Sequence, residues 1–461
     1  MSTTATASAA PFLAAWDDTA RRGAGALPDK ALQQAARSWF DTVATTLGGA
    51  QERCAQASMA ACKASAGGQA LSATDTALVL GAASHALDYD DVCMLATCHP
   101  SAPVISALLA LLPQALAQRP ALSWQQTIGA YLVGVETMLR LGEWLGFRHY
   151  DLGFHTTDTL GTIGAAAACA HLLQLPTLQA HHALGISASS AGGLRANFGT
   201  DTKPLHAGFA ASAGVRAALL AQAGATASSG VWGPRGFVHA FNGGEAGTMP
   251  WQAGQPWAIE APGFEHKRFP SCYLTHRMVA GLLLLRARID GPVPPADISV
   301  EFTADGMAAL IYDNPVNGLQ GKFSAQYCAA AAWHDGALTL RSFDDATVLR
   351  AEVRAQMARV HTHKRAPAGE TLDTAPVCVR VQHARGEDSV LVDWAPGSPA
   401  DPMSTSDLLA KWADCARHAG MADTSAQPAE RLLHAAEDTP ASDMLLPLRQ
   451  LLLHRLNELG H

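Results

Sequence analysis

From residue 31 to residue 224 the chain repeats one pattern: small and apolar side chains at three- and four-residue spacing, with few charges between them. The runs ALQQAARSWFDTVATTLGG, SATDTALVLGAASHALDYDD, PVISALLALLPQALA, WQQTIGAYLVGVETMLRLGEWLG, TLGTIGAAAACAHLLQL, LQAHHALGISASSAGG and HAGFAASAGVRAALLAQAG all carry it. Helical spacing of this kind predicts α-helices, and alanine and glycine at the contacts let helix axes approach closely. Charged residues are only 16% of the chain against 48% hydrophobic, so the helices are buried on most sides rather than on one stripe. The first run follows an Asp-Lys pair, and its closing glycines read as a helix stop.

The pattern changes near residue 250. MPWQAGQPWAIEAPGFEHKRFPSC reads as loop, DISVEFTADGMAALIY has strand character, and TAPVCVRVQHARGEDSVLVDWAPG reads as a hairpin with Val377, Val379 and Val381 alternating before a turn. Amphipathic helix returns after residue 400, and ADTSAQPAE is the best candidate for a mobile loop. A chain of 461 residues exceeds one core of ordinary size. The expectation is a mainly α protein: 1–267 and 400–461 form a large helical domain from both chain ends, and 268–399 a smaller α+β domain.

Several function classes lose weight at this point. The net charge is −8 with no basic stripe, which argues against nucleic acid; an anionic ligand would need a local basic pocket. The greasiest runs fall short of a membrane span, the first broken by a proline, so no membrane partner is expected. Nine cysteines, odd in number and without a CxxC pair, read as reduced thiols of a cytoplasmic protein. The N-terminus has no basic segment ahead of its apolar residues, so no secretory signal is expected. No dinucleotide fingerprint, GxSxG elbow, HExxH or zinc spacing occurs.

Four polar clusters stand out against the apolar background. HALDYDDVCMLATCHPSAP, residues 85–103, crowds Asp88, Asp90 and Asp91 between His85 and His99. GFHTTDTLG puts His155 ahead of capping residues and an Ala-rich helix, at a terminus that favours an anion. LRANFGTDTKPLHAG carries Lys203, which can anchor a carboxylate or donate a proton. HKRFPSCYLTHRM places Lys267, Arg268, Tyr273, His276 and Arg277 at the expected domain junction, where ligand pockets tend to form. Bland readings stand beside each: a helix cap, a solvated lysine, a basic linker.

In this order the clusters resemble the MmgE/PrpD family, carried by HALDYDD…HPSAP, GFHTTDTLGTIGAAAA, GLRANFGTDTKPLHAG, GPRGF, RFPSCYLTH and GLQGKFSAQY. The resemblance implies a helical domain with an α+β lid, a homodimer, and catalysis on a small carboxylate without metal or organic cofactor. It implies pocket residues Asp88, His99, His155, Lys203, His276 and Tyr312, and Lys322 also falls on a family motif. Lys267 and Arg268 are the further substrate-binding candidates. One departure is visible: Val92 stands where several relatives have threonine, and CMLAT lengthens the connection to His99 by one residue.

The chemistry the resemblance implies is loss or exchange of a group next to a carboxylate. Charge then builds on an anion, and fixed cations in a water-poor cleft stabilise it. Lys203 and protonated histidines fit that task, His155 and His276 are the candidate base and acid, and Asp88 would orient His99, leaving Asp90 and Asp91 to cap or pair. Dehydration of 2-methylcitrate or a related tricarboxylate is the first expectation, with iminodisuccinate-type epimerisation and cis-aconitate-type decarboxylation as alternatives. A magnesium or manganese site on Asp88, Asp90, Asp91 and His99, and a non-catalytic binding protein, are the readings from other classes.

Overall fold

The computed structural model describes residues 6–245, 247–289, 297–303, 305–366, 368–372, 374–422 and 425–458. The long helices Asp29–Gly49, Ala73–Ala86, Ser101–Gln118, Trp124–Asp151, Thr156–Leu172 and Thr202–Gln222 pack on one another and fulfil the spacing pattern. Serines start several of them: Ser72 accepts from the Asp75 backbone, and Ser123 forms a reciprocal capping box with Gln126.

The glycines act differently from a simple stop signal. Gly48 and Gly49 lie inside the helix Asp29–Gly49, and a Cβ at Gly49 would sit 2.0 Å from the Ala83 carbonyl oxygen. A Cβ at Gly81 would sit 2.6 Å from the Gly208 Cα, so the helices Ala73–Ala86 and Thr202–Gln222 touch backbone to backbone. That contact brings the turn after Ala86 beside Lys203. The proline expected to break the greasy run does not: Ser101–Gln118 continues through Pro113. It is long and apolar enough to cross a membrane by composition, but 72% of it is buried within the protein.

Buried apolar side chains sort into two main clusters. The first gathers residues from Phe12 to Phe264 and from Met403 to Leu456, with Leu340, so both chain ends share it. The second gathers Tyr150, Phe198 and residues from Phe269 to Val381. It surrounds a four-stranded sheet of β1 (Asp297–Thr303), β2 (Val360–Arg365), β3 (Val377–His383) and β4 (Gly386–Val392), in the order β2-β1-β3-β4. β1 runs parallel to β2 and antiparallel to β3, and β3–β4 is the expected hairpin, with Val377, Val379 and Val381 buried. In the segment expected to be a mobile loop, Asp423 and Thr424 lie outside the described residues, while Gln427–Glu430 form a helical turn with Ala429 buried.

Lys411, on the C-terminal helix Thr405–His418, joins the two ends of the chain. Its ammonium donates to the Tyr89 carbonyl at 2.6 Å and the Lys267 carbonyl at 3.1 Å, and pairs with buried Asp41 at 2.6 Å. One buried cation thereby fixes the backbone of two of the polar clusters.

Candidate active site

The helix Ala73–Ala86 ends in a turn where Asp88 takes a left-handed conformation, φ +51°. Aspartate is among the few side chains that tolerate this region. The turn presents Asp88 Oδ1 to two ammonium groups, Lys203 Nζ at 2.8 Å and Lys267 Nζ at 3.0 Å. Lys267 Nζ also donates to the Asp88 carbonyl at 2.8 Å. All three side chains are buried. Burial pushes the Asp88 carboxyl up, but the two lysines overcome it and hold the group well below the usual range. One buried carboxylate between two buried cations leaves a net positive charge, which suits an anionic ligand.

Asp90 comes closer to the His99 ring than Asp88 does. Its carboxylate accepts from His85 Nδ1 at 2.9 Å and lies 3.1 Å from His99 Nδ1. Burial would raise it, but the two imidazoles hold it well below normal. With Nδ1 directed at Asp90, His99 turns Nε2 toward Asp88, 3.5 Å away. Desolvation lowers the His99 pKa despite Asp90, and holds His155 well below the ordinary histidine value, helped by Lys203. Asp91 faces elsewhere: it accepts from the Ser101 backbone at 3.2 Å and hydroxyl at 2.5 Å, capping the helix Ser101–Gln118. Burial, with Asp41 nearby, pushes its carboxyl up to about 7.

Asp88, His99, His155, Lys203 and Lys267 share one cavity. The remaining walls are mostly apolar, with Val92, Met94, Phe198, Leu274 and Phe323 among them. Val92 pairs with Glu265 through two backbone hydrogen bonds, and the Cys93–Cys98 pairing closes the lengthened loop over the cavity. The departure at Val92 therefore alters a cavity wall.

Four expected site residues are not brought to this cavity. His276 is fully buried behind it, against Phe269 and Tyr273, because it begins the helix His276–Arg288 and faces the core; burial takes its pKa to about 3. Tyr312 donates to the Phe198 carbonyl at 2.7 Å and braces that wall from behind. Arg268 is on the surface, paired with Asp407. Lys322 donates to the Leu87 carbonyl and lines a separate cavity with Glu52 and Asp201; burial lowers its pKa to about 8.

Asp90, His85 and His206, by contrast, are close to the chemistry and had no assigned catalytic part. His85 and Asp90 were visible as flanking polar residues in an apolar run, whereas nothing in the spacing marks His206 as the neighbour of His155. His85, Asp88, Asp90 and His99 bring donor atoms within 4.8 Å of one another. A divalent cation there would face the fixed charges of Lys203 and Lys267, which hold the Asp88 oxygen. The donor set fits an ion poorly, and Asp91 is not part of it.

Two family models match the chain: the MmgE/PrpD N-terminal domain over residues 19–248 and the MmgE/PrpD C-terminal domain over residues 269–437. Cis-aconitate decarboxylase of Homo sapiens is 32% identical over 294 residues, 62% of this chain and 60% of that protein. The Mus musculus enzyme is 32% identical over 310 residues, 65% and 63%, and the Aspergillus terreus enzyme 27% over 349 residues, 69% and 71%. The match thus spans less than two thirds of the two mammalian relatives. Domain models covering most of the sequence, N-terminal before C-terminal, carry the assignment: this chain belongs to the MmgE/PrpD family.

Proposed function

We propose that the protein is a lyase acting beside a carboxylate of a small tricarboxylate, with decarboxylation of cis-aconitate or a close analogue as the first reading. The carrying observation is the pair of lysine side chains pinned on Asp88 beside the His99 and His155 imidazoles in one cavity. The names of the relatives supply the substrate, and move decarboxylation ahead of the dehydration expected from the sequence. Lys203 and Lys267 would hold a substrate carboxylate and stabilise the electron pair left when carbon dioxide departs. An imidazole N–H would then protonate the resulting carbanion. In this reading residues 268–399 form the lid over the cavity, the enzyme works as a cytoplasmic homodimer, and no cofactor takes part.

A second reading, dehydration, draws on the unlike settings of the two imidazoles. His99 leans on a carboxylate and His155 does not, and such pairs divide into base and acid. Proton NMR in D2O, with cis-aconitate, 2-methylcitrate, citrate and iminodisuccinate, separates the readings. Carbon dioxide loss from cis-aconitate, unaffected by a chelator and abolished by Lys203→Ala, is the expected result. Elimination from a hydroxy acid would move the assignment to dehydration, exchange without net change to epimerisation. Silence across the panel would sink the lyase reading.

A further inference from the structure

His206 takes no part in that scheme, yet it makes the closest polar contact to His155. It lies on the helix Thr202–Gln222, one turn after Lys203, and its Nδ1 is 2.8 Å from the Nδ1 of His155. Both rings are buried, 3% and 2% exposed. The remaining neighbours of His155 hold the ring without choosing its protons. His85 stacks on it at 5.7 Å and Phe198 meets it edge-on at 5.0 Å.

Contact between two Nδ1 atoms has a chemical consequence. One nitrogen carries the hydrogen and the other must be bare, so the rings cannot choose tautomers independently. When His206 donates, the His155 proton sits on Nε2, the nitrogen left to face the cavity, and His155 is an acid. When His155 donates, its Nε2 is bare and it is a base. His99 has Asp90 to settle the same question. The charged and titratable groups that act most strongly on the histidine pair are Lys203, His85 and His99.

We propose that His206 is the positioning and proton-exchange partner of His155. A proton taken from substrate at His155 Nε2 is matched by transfer of the Nδ1 proton to His206 Nδ1, and His206 then releases the proton on its own Nε2. In decarboxylation the sequence runs in reverse: His155 gives its Nε2 proton to carbon and is refilled through His206. Each step moves one proton, between carbon and His155, between His155 and His206, and between His206 and solvent water, and no electron or other co-reactant is needed. The proposal rests on the lyase reading for its use, but the hydrogen bond itself does not.

Two substitutions separate orientation from relay. His206→Asn keeps an amide near the Nδ1 position, so it can hold His155 but cannot pass a proton through; His206→Leu removes both. Nitrogen-15 NMR of the histidine-labelled full-length protein without substrate reads the pair directly. The wild type is expected to show coupling between the two Nδ1 nuclei across the hydrogen bond, and both variants to lose it. His206→Leu should leave His155 in mixed tautomers, and His206→Asn in one. In turnover, His206→Asn is expected to lower kcat by about 100-fold with KM within about twofold, and to alter the pH profile. Unchanged kcat and pH profile in His206→Asn would overturn the relay, and absence of coupling in the wild type would overturn the pairing. If coupling is seen but no panel substrate reacts, only the lyase reading falls.

Discussion

The stretches 85–103 and 266–278 are both crowded with polar residues, yet they serve the cavity unequally. The first is a tight turn and closed loop, so Asp88 and His99 converge on one point, with Asp90 directly behind. The second runs through a bent segment and then into a helix. Lys267 points inward, its neighbour Arg268 outward to Asp407, and His276 into the core. A segment that does not close on itself divides its charges between inside and outside, Lys267 on Asp88 and Arg268 on Asp407. Density along the chain becomes density in space only where the backbone curls.

The largest effect should come from the point where the two stretches meet. Asp88→Asn leaves Lys203 and Lys267 buried, adjacent and uncompensated. Breaking a buried ion cluster from one side costs about 3–5 kcal/mol. Denaturant unfolding should show a loss in that range, with activity abolished. A loss below about 1 kcal/mol would mean that the two lysines find other partners and that Asp88 does not organise the site.

This sharpens what the sequence could tell. The helices were legible because alanine and glycine recur at helical spacing, and the β3–β4 hairpin because valines alternate. The Asp88, His99, His155, Lys203 and Lys267 set was legible as polar islands in apolar runs, ordered by a family resemblance. The closer approach of Asp90 than of Asp88 to the His99 ring was not. It depends on a left-handed residue at Asp88 and on a lysine 179 positions away, and neither leaves a local mark. The placement of His276 was not legible for the converse reason: a histidine three residues from a tyrosine and beside an arginine looks cavity-facing, but the helix start turns its ring in against Phe269 and Tyr273.

Lys267 and His276 therefore make the sharpest paired test within one stretch. Lys267→Ala removes a cation from the cavity and should lower kcat/KM by about 100-fold, or roughly 3 kcal/mol. His276→Gln should change it far less, and an equal loss would return His276 to the catalytic set. Its signature lies in stability instead. His276, like His85 and His266, has its pKa lowered to about 3 by burial. Such a group stabilises the fold fully above the unfolded value near 6.5, and that contribution is lost as pH falls toward 3. Each of the three should cost about 2 kcal/mol between pH 7 and pH 5. His276→Gln should flatten the pH dependence of unfolding by one such step, and an unchanged slope would mean that the ring is not held neutral.

The smallest effect belongs to Arg268, one residue from Lys267 and chemically its near equal. Its guanidinium pairs with Asp407 at the surface, with 43% of the side chain exposed. Surface pairs contribute about 0–1 kcal/mol and weaken with salt. Asp407 also has a second attachment, since it caps the helix Thr405–His418 with Ser404, so removing Arg268 leaves no orphaned charge. Arg268→Ala is accordingly expected to shift stability by less than about 1 kcal/mol, less still in high salt, and to leave turnover within about twofold. Thermal unfolding at low and high salt, with a rate assay, checks both. A large loss of activity would break the comparison, because it would mean that substrate reaches the outer face of this segment as well as the inner one. A null effect beside a 100-fold effect at Lys267 would show that the direction each side chain takes from this segment, rather than its charge, decides which cation meets the substrate.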